Sequence, residues 1–145
     1  MIGAISAGLM GMVTSGLNNR MALDVVRDRQ YAADAAVESA IAEVRQLDRS
    51  TAGSCSSVGG SPVGGSSVST LNGVVIRVDW RTACAVVLGG DGVVVSQRNA
   101  VFSACVNTGA TCAIDVVIIN AQVNFEQGAA GGVTKTFVQS WSVVR

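Results

Sequence analysis

Residues 18–50 read NNRMALDVVRDRQYAADAAVESAIAEVRQLDRS. Good helix formers dominate this stretch and no proline interrupts it. Ala33, Val37, Ala40, Ile41, Val44 and Leu47 recur every three or four residues and make one apolar stripe, with Asp34, Glu38, Ser39, Glu43 and Arg45 opposite. The spacing predicts an amphipathic helix that runs to about Leu47 and lays its stripe on another element.

Upstream, residues 1–17 (MIGAISAGLMGMVTSGL) carry no charge. At a rise of about 1.5 Å per residue they reach roughly 25 Å, the short end of a membrane span. A signal peptide would place basic residues before such a stretch, and a buried core helix would carry caps. A membrane-resident segment that later packs against other helices fits better. Gly3 and Ala7, Ala4 and Gly8, Ala7 and Gly11, and Gly11 and Ser15 are each four apart, so small residues stack along helix faces from Met1 to Leu17 and let backbones approach closely. Glycine is also common throughout the chain, with 17 in all, which is the bland account of the same spacing. Continuous from end to end, the helix would be about 70 Å long, so its first half would project from a domain of this size.

Charge is unevenly placed: the first 19 residues have none, whereas Arg20, Asp24, Arg27, Asp28 and Arg29 follow in close order. Asp24 and Arg27 can meet at i,i+3. This collar reads either as a solvated helix surface or as a set of ion pairs between packed subunits.

Downstream, residues 50–70 (STAGSCSSVGGSPVGGSSVST) are rich in Gly and Ser, hold the only proline, Pro62, and read as a loop. From Leu71 the period changes to two: Val74, Ile76, Val78 and Trp80 alternate with Val75, Arg77, Asp79 and Arg81. Further strands are expected over residues 93–106, 113–126 and 134–144, separated by turns at GGDG (89–92), NTGA (107–110) and GAAGG (128–132). The fold class is α+β: a long N-terminal helix packed on a four-stranded antiparallel β-meander. In domain terms, residues 1–49 form the helix (1–24 projecting, 25–49 on the sheet), 50–72 a loop and 73–145 the β-domain.

Of 145 residues none is histidine and one is lysine, Lys135. The commonest general base and metal ligand is therefore missing, and no catalytic constellation, cofactor or metal site is expected. Asp79, Asp91, Asp115 and Glu126 lack calcium-loop spacing and read as solvated carboxylates. The zero net charge argues against a nucleic-acid partner. Cys55, Cys84, Cys105 and Cys112 are even in number with no CxxC pair, which predicts two disulfides in an oxidising compartment, buried free thiols being the alternative. A tight turn between Thr108 and Gly109 would set Cys105 opposite Cys112, leaving Cys55 for Cys84.

The segment from Arg27 to Arg45, RDRQYAADAAVESAIAEVR, resembles the RxRQxAxxAAExAI-type stretch where the helix of type IV pilin-like proteins enters the globular domain. The likeness extends over the whole chain as an architecture. It implies a structural subunit of an extracellular pilus-like filament, held in the inner membrane before assembly, handled by pilus assembly machinery and partnered mainly by copies of itself. A minor pilin or a secretion-system pseudopilin is the same reading in a different place. The family's basic leader does not precede Met1, as expected of a mature or trimmed chain. Ile5 stands where the family carries Glu, so the family's carboxylate-to-amine assembly contact is not carried over. The alternative from another class is a monomeric, membrane-anchored extracellular binding module.

Overall fold

In the computed structural model the described residues are 2–47, 63–88, 94–128 and 132–144. A single 45-residue helix, α1 (Ile2–Gln46), ends where the stripe ends. It is followed by five strands: β1 (Val63–Leu71), β2 (Val74–Leu88), β3 (Val94–Val106), β4 (Val117–Gln127) and β5 (Val133–Val143). They form one antiparallel meander in the order β1-β2-β3-β4-β5. The class is α+β, with α1 packed on one face of the sheet.

The sheet has five strands, not the expected four. The extra one, β1, comes from the downstream part of the Gly/Ser stretch, so the β-domain begins at Val63 rather than at residue 73. Two physical features make a strand of it. Asn72 (φ 51°) and Gly73 (φ 76°) both adopt the left-handed conformation that a two-residue hairpin turn needs, and they pair Leu71 with Val74. Gly65 lies opposite Trp80, whose ring occupies the space a Cβ on Gly65 would need. The small residue is thus a seat for a large one, and the indole covers backbone that glycine leaves bare.

Ala32, Ala33, Ala36, Val37, Ala40 and Val44 of α1 are buried against Ile76, Val78, Trp80, Ala100, Phe102, Ala104, Ile119, Ala121, Val123 and Phe125. Ile41 and Leu47 pack at the margin. Alanines on both sides bring helix and sheet close, and Phe102 and Phe125 supply the largest apolar side chains of the sheet's share of this core. Each fully buried large apolar side chain contributes roughly 1.5–3 kcal/mol.

Cys105 and Cys112 are disulfide-bonded, with Cα atoms 5.6 Å apart. The register that led to this pairing is different, however. Cys105 pairs across the sheet with Val117, a bulge falls between Ala104 and Cys105, and Cys112 sits in a wider loop that ends in a 3-10 turn, Ile114–Val116. The expected strand from residue 113 therefore starts at Val117. The loop turns back through Gly109 (φ 85°), whose N–H donates to the Asn107 side chain. Cys84 is also disulfide-bonded, and Cys55 lies outside the described residues.

Candidate functional site

The stem of α1 meets the end of the sheet at a groove. Between Met21 and Tyr31 the helix carries Met21, Leu23, Val25, Val26 and Tyr31, all exposed, with Leu23 at 69% and Val26 at 61%. Leu23, Val26, Arg29 and Gln30 form one wall. The other consists of Val106, the disulfide loop up to Val116, Ile118, and Val143 with Val144 at the end of β5. The enclosed volume is about 930 Å³ and the lining is mostly apolar.

Polar contacts hold the loop wall in place. Asp79 accepts from Arg77 Nε at 2.7 Å through one oxygen and from the backbone N–H of Cys112 at 2.6 Å through the other. The N–H of Asn107 donates to the carbonyl of Val75 at 2.9 Å, and that of Val144 to the carbonyl of Ile118 at 2.8 Å. With the disulfide, these bonds give a loop lacking regular structure a fixed shape. In the same loop Ile114 is 93% exposed.

No family model, no curated protein and no solved structure matches the chain.

Of the charge collar, Asp24 and Arg27 form the expected i,i+3 pair at 3.1 Å, with both side chains largely in solvent, where such a pair contributes little. Arg20 is exposed, Asp28 half-buried, and Arg29 belongs to the groove wall. The small-residue positions Gly3, Ala4, Ala7, Gly8, Gly11 and Ser15, and Leu17, fall on α1, but their side chains, like Met1, lie outside the described residues. Among the described residues no helix is long and apolar enough to cross a membrane, and no cluster of three His, Cys, Asp or Glu side chains is placed to hold a metal ion.

Two side chains not singled out in the sequence fix the helix on the sheet. Arg98 is fully buried, donates from Nη2 to the carbonyl of Val44 at 2.8 Å and lies 5.2 Å from the centroid of the Phe125 ring. It thereby caps a last-turn carbonyl of α1, where the helix dipole favours a cation. Burial pushes its pKa down, and its Nε and Nη1 have no hydrogen-bond partner among the described residues. Nearer the stem, Trp141 Nε1 donates to Asp34 at 3.2 Å and links α1 to β5.

The outer sheet face has a second, more polar depression of about 820 Å³ lined by Ser66, Arg77, Asp79, Arg81 and Ser103 among others. Its central charges are already committed to each other, since Arg77 and Asp79 form an ion pair.

Proposed function

We propose that this chain is a structural subunit of an extracellular filament of the type IV pilus kind, in which the helices pack inside and the β-domains face outward. The observation that carries the reading is the bare stem of α1. Leu23, Val25 and Val26 are apolar, helical and exposed in the single chain, and an uncharged helical stretch precedes them. Leaving such a surface in water forfeits about 25 cal/mol for each Å² of apolar area that a partner would cover. Copies of the same helix supply that partner, and a contact that repeats without closing makes a fibre. The Ala32–Val44 region, sealed against the sheet, keeps each subunit folded as it joins.

In this role the precursor rests in the inner membrane, the partners are other copies and the assembly machinery, and no catalysis is involved. The resemblance of Arg27–Arg45 to the pilin entry segment supports the same assignment. Negative-stain electron microscopy of the purified full chain tests it. Filaments are expected, and Gly8→Leu, which holds helix backbones apart, is expected to abolish them while the β-domain keeps its melting temperature. Monodisperse monomers under every assembly condition would sink the reading and favour the membrane-anchored binding module.

A further inference from the structure

Two buried polar side chains lie near the last turn of α1 on the helix-facing side of the sheet. Arg98 is opposite Phe125, and Gln127 follows Phe125 by two residues on β4, so the two are diagonal neighbours on one face, with Cα atoms about 7–8 Å apart. Long side chains bridge that separation. Arg98 is fully buried and Gln127 is 4% exposed. Their hydrogen-bonding groups do not balance. Arg98 donates from Nη2 to the carbonyl of Val44 and lies over the Phe125 ring, but Nε and Nη1, with three N–H groups between them, are bare among the described residues. Gln127 adds two N–H groups on Nε2 and one acceptor, Oε1, equally without partners there. Donors therefore outnumber the single bare acceptor atom five to one. Charge is unbalanced in the same sense, since among the described residues no carboxylate forms an ion pair with Arg98. A carbonyl and a ring face offer only partial negative charge, and a cation held out of water without a counter-charge is costly.

We propose that Arg98 and Gln127 bind a small monovalent inorganic anion of the chloride kind, held by Nε and Nη1 of the guanidinium and Nε2 of the amide. A water molecule offers as many donors as acceptors and brings no charge, so it would leave both imbalances in place. An anion only accepts, so it takes up the bare N–H groups and neutralises the guanidinium. Enclosure decides the size of the ion. Both side chains are more than nine-tenths buried, which suits a monatomic ion better than a tetrahedral oxyanion. Bound there, the ion keeps in place the cation that caps α1 at Val44, so its occupancy strengthens the attachment of helix to sheet. This inference is independent of the filament reading, because every protein group in it belongs to one chain.

The test is thermal unfolding of the full chain, with sodium gluconate exchanged for sodium chloride at a constant ionic strength of about 0.3 M. The midpoint should rise by about 5 °C, the size expected when the free ion exceeds its dissociation constant about fiftyfold. Arg98→Met, which keeps a long side chain but has neither charge nor donor, should melt cooperatively at the same midpoint in both salts. Gln127→Leu leaves Arg98 and its bond to Val44 in place. It should need about tenfold more chloride for the same rise, the loss of one hydrogen bond to an ion. Broadening of the chloride-35 resonance on adding protein is a readout that stability does not enter, and it should fall with Arg98→Met. A midpoint that ignores the exchange would overturn the proposal and leave water as the occupant. A rise or a broadening of equal size in Arg98→Met would also overturn it, and would place the salt effect on the exposed arginines. Should Arg98→Met not fold, Gln127→Leu decides, and an unshifted chloride titration would sink the site.

Discussion

Between Ala32 and Val44 the inward side chains of α1 are alanine and valine, and they are buried; between Met21 and Tyr31 the helix carries Met, Leu, Val and Tyr, and they are exposed. Both regions belong to one helix, and helix propensity does not separate them. What differs is the neighbour. The small residues admit a sheet at close range, so that part of the helix is finished within the single chain. The stem presents larger apolar groups and borders only the open groove at the end of the sheet, so much of its apolar surface stays in solvent. Along one helix, the part that touches the sheet is sealed within the chain, whereas the stem mixes exposed apolar side chains with Asp24, Arg27, Asp28 and Arg29.

The division can be broken from either side. Val37→Asp places an unpaired charge in the sealed region and should cost more than about 4 kcal/mol, seen as loss of the cooperative melt. Val26→Asp in the stem should shift the same melt by less than about 0.5 kcal/mol and instead stop filament growth. Equal destabilisation by the two would erase the contrast. Next in size, Arg98→Ala leaves a cavity and an uncapped carbonyl at Val44 and should cost about 3 kcal/mol in chemical denaturation, with Arg98→Met much milder. Replacing Cys105 and Cys112 together by Ala opens a loop of seven-residue separation, and chain entropy puts the loss near 2.5 kcal/mol. The groove wall should loosen with it, visible as faster amide exchange over residues 107–116. Gly65→Ala collides with Trp80 and should cost about 1–2 kcal/mol. Smallest of all, Asp24→Ala removes an exposed pair and should change the melt by less than about 0.5 kcal/mol; any larger effect would show that the collar is structural within the single chain.

The parts of this fold that follow from local periodicity were legible in the sequence. The Ala33–Leu47 stripe named the buried helix face, and the alternation from Val74 to Arg81 named the buried side of β2. The first strand was missed because Gly64, Gly65, Ser66 and Ser67 have loop composition, although Asn72-Gly73 between Leu71 and Val74 is a strong hairpin signal. The Cys105–Cys112 pairing was right on a register that the bulge at Cys105 displaces, while Cys55, the partner expected for Cys84, lies outside the described residues. Arg98 was within reach too, since it falls in phase with Ala100, Phe102 and Ala104, which puts a cation on the core side of β3. The groove was not. Its walls come from residues 23–30, 106–118 and 143–144, which only the tertiary arrangement brings together, and the exposure of β5 depends on where a helix lies rather than on what β5 contains.

The grip of Arg98 on Val44 has a mechanical consequence. It lies at the far end of α1 from the stem, and Trp141 ties Asp34 farther back along the same helix. Tension on the stem therefore pulls α1 lengthwise across the sheet, loading the alanine-rich contact in shear together with both tethers rather than peeling turns away one at a time. Loads shared in this way yield abruptly. In single-molecule pulling from the N-terminal end, the β-domain should release its helix in one step, at a force that falls when Arg98 is replaced by Ala.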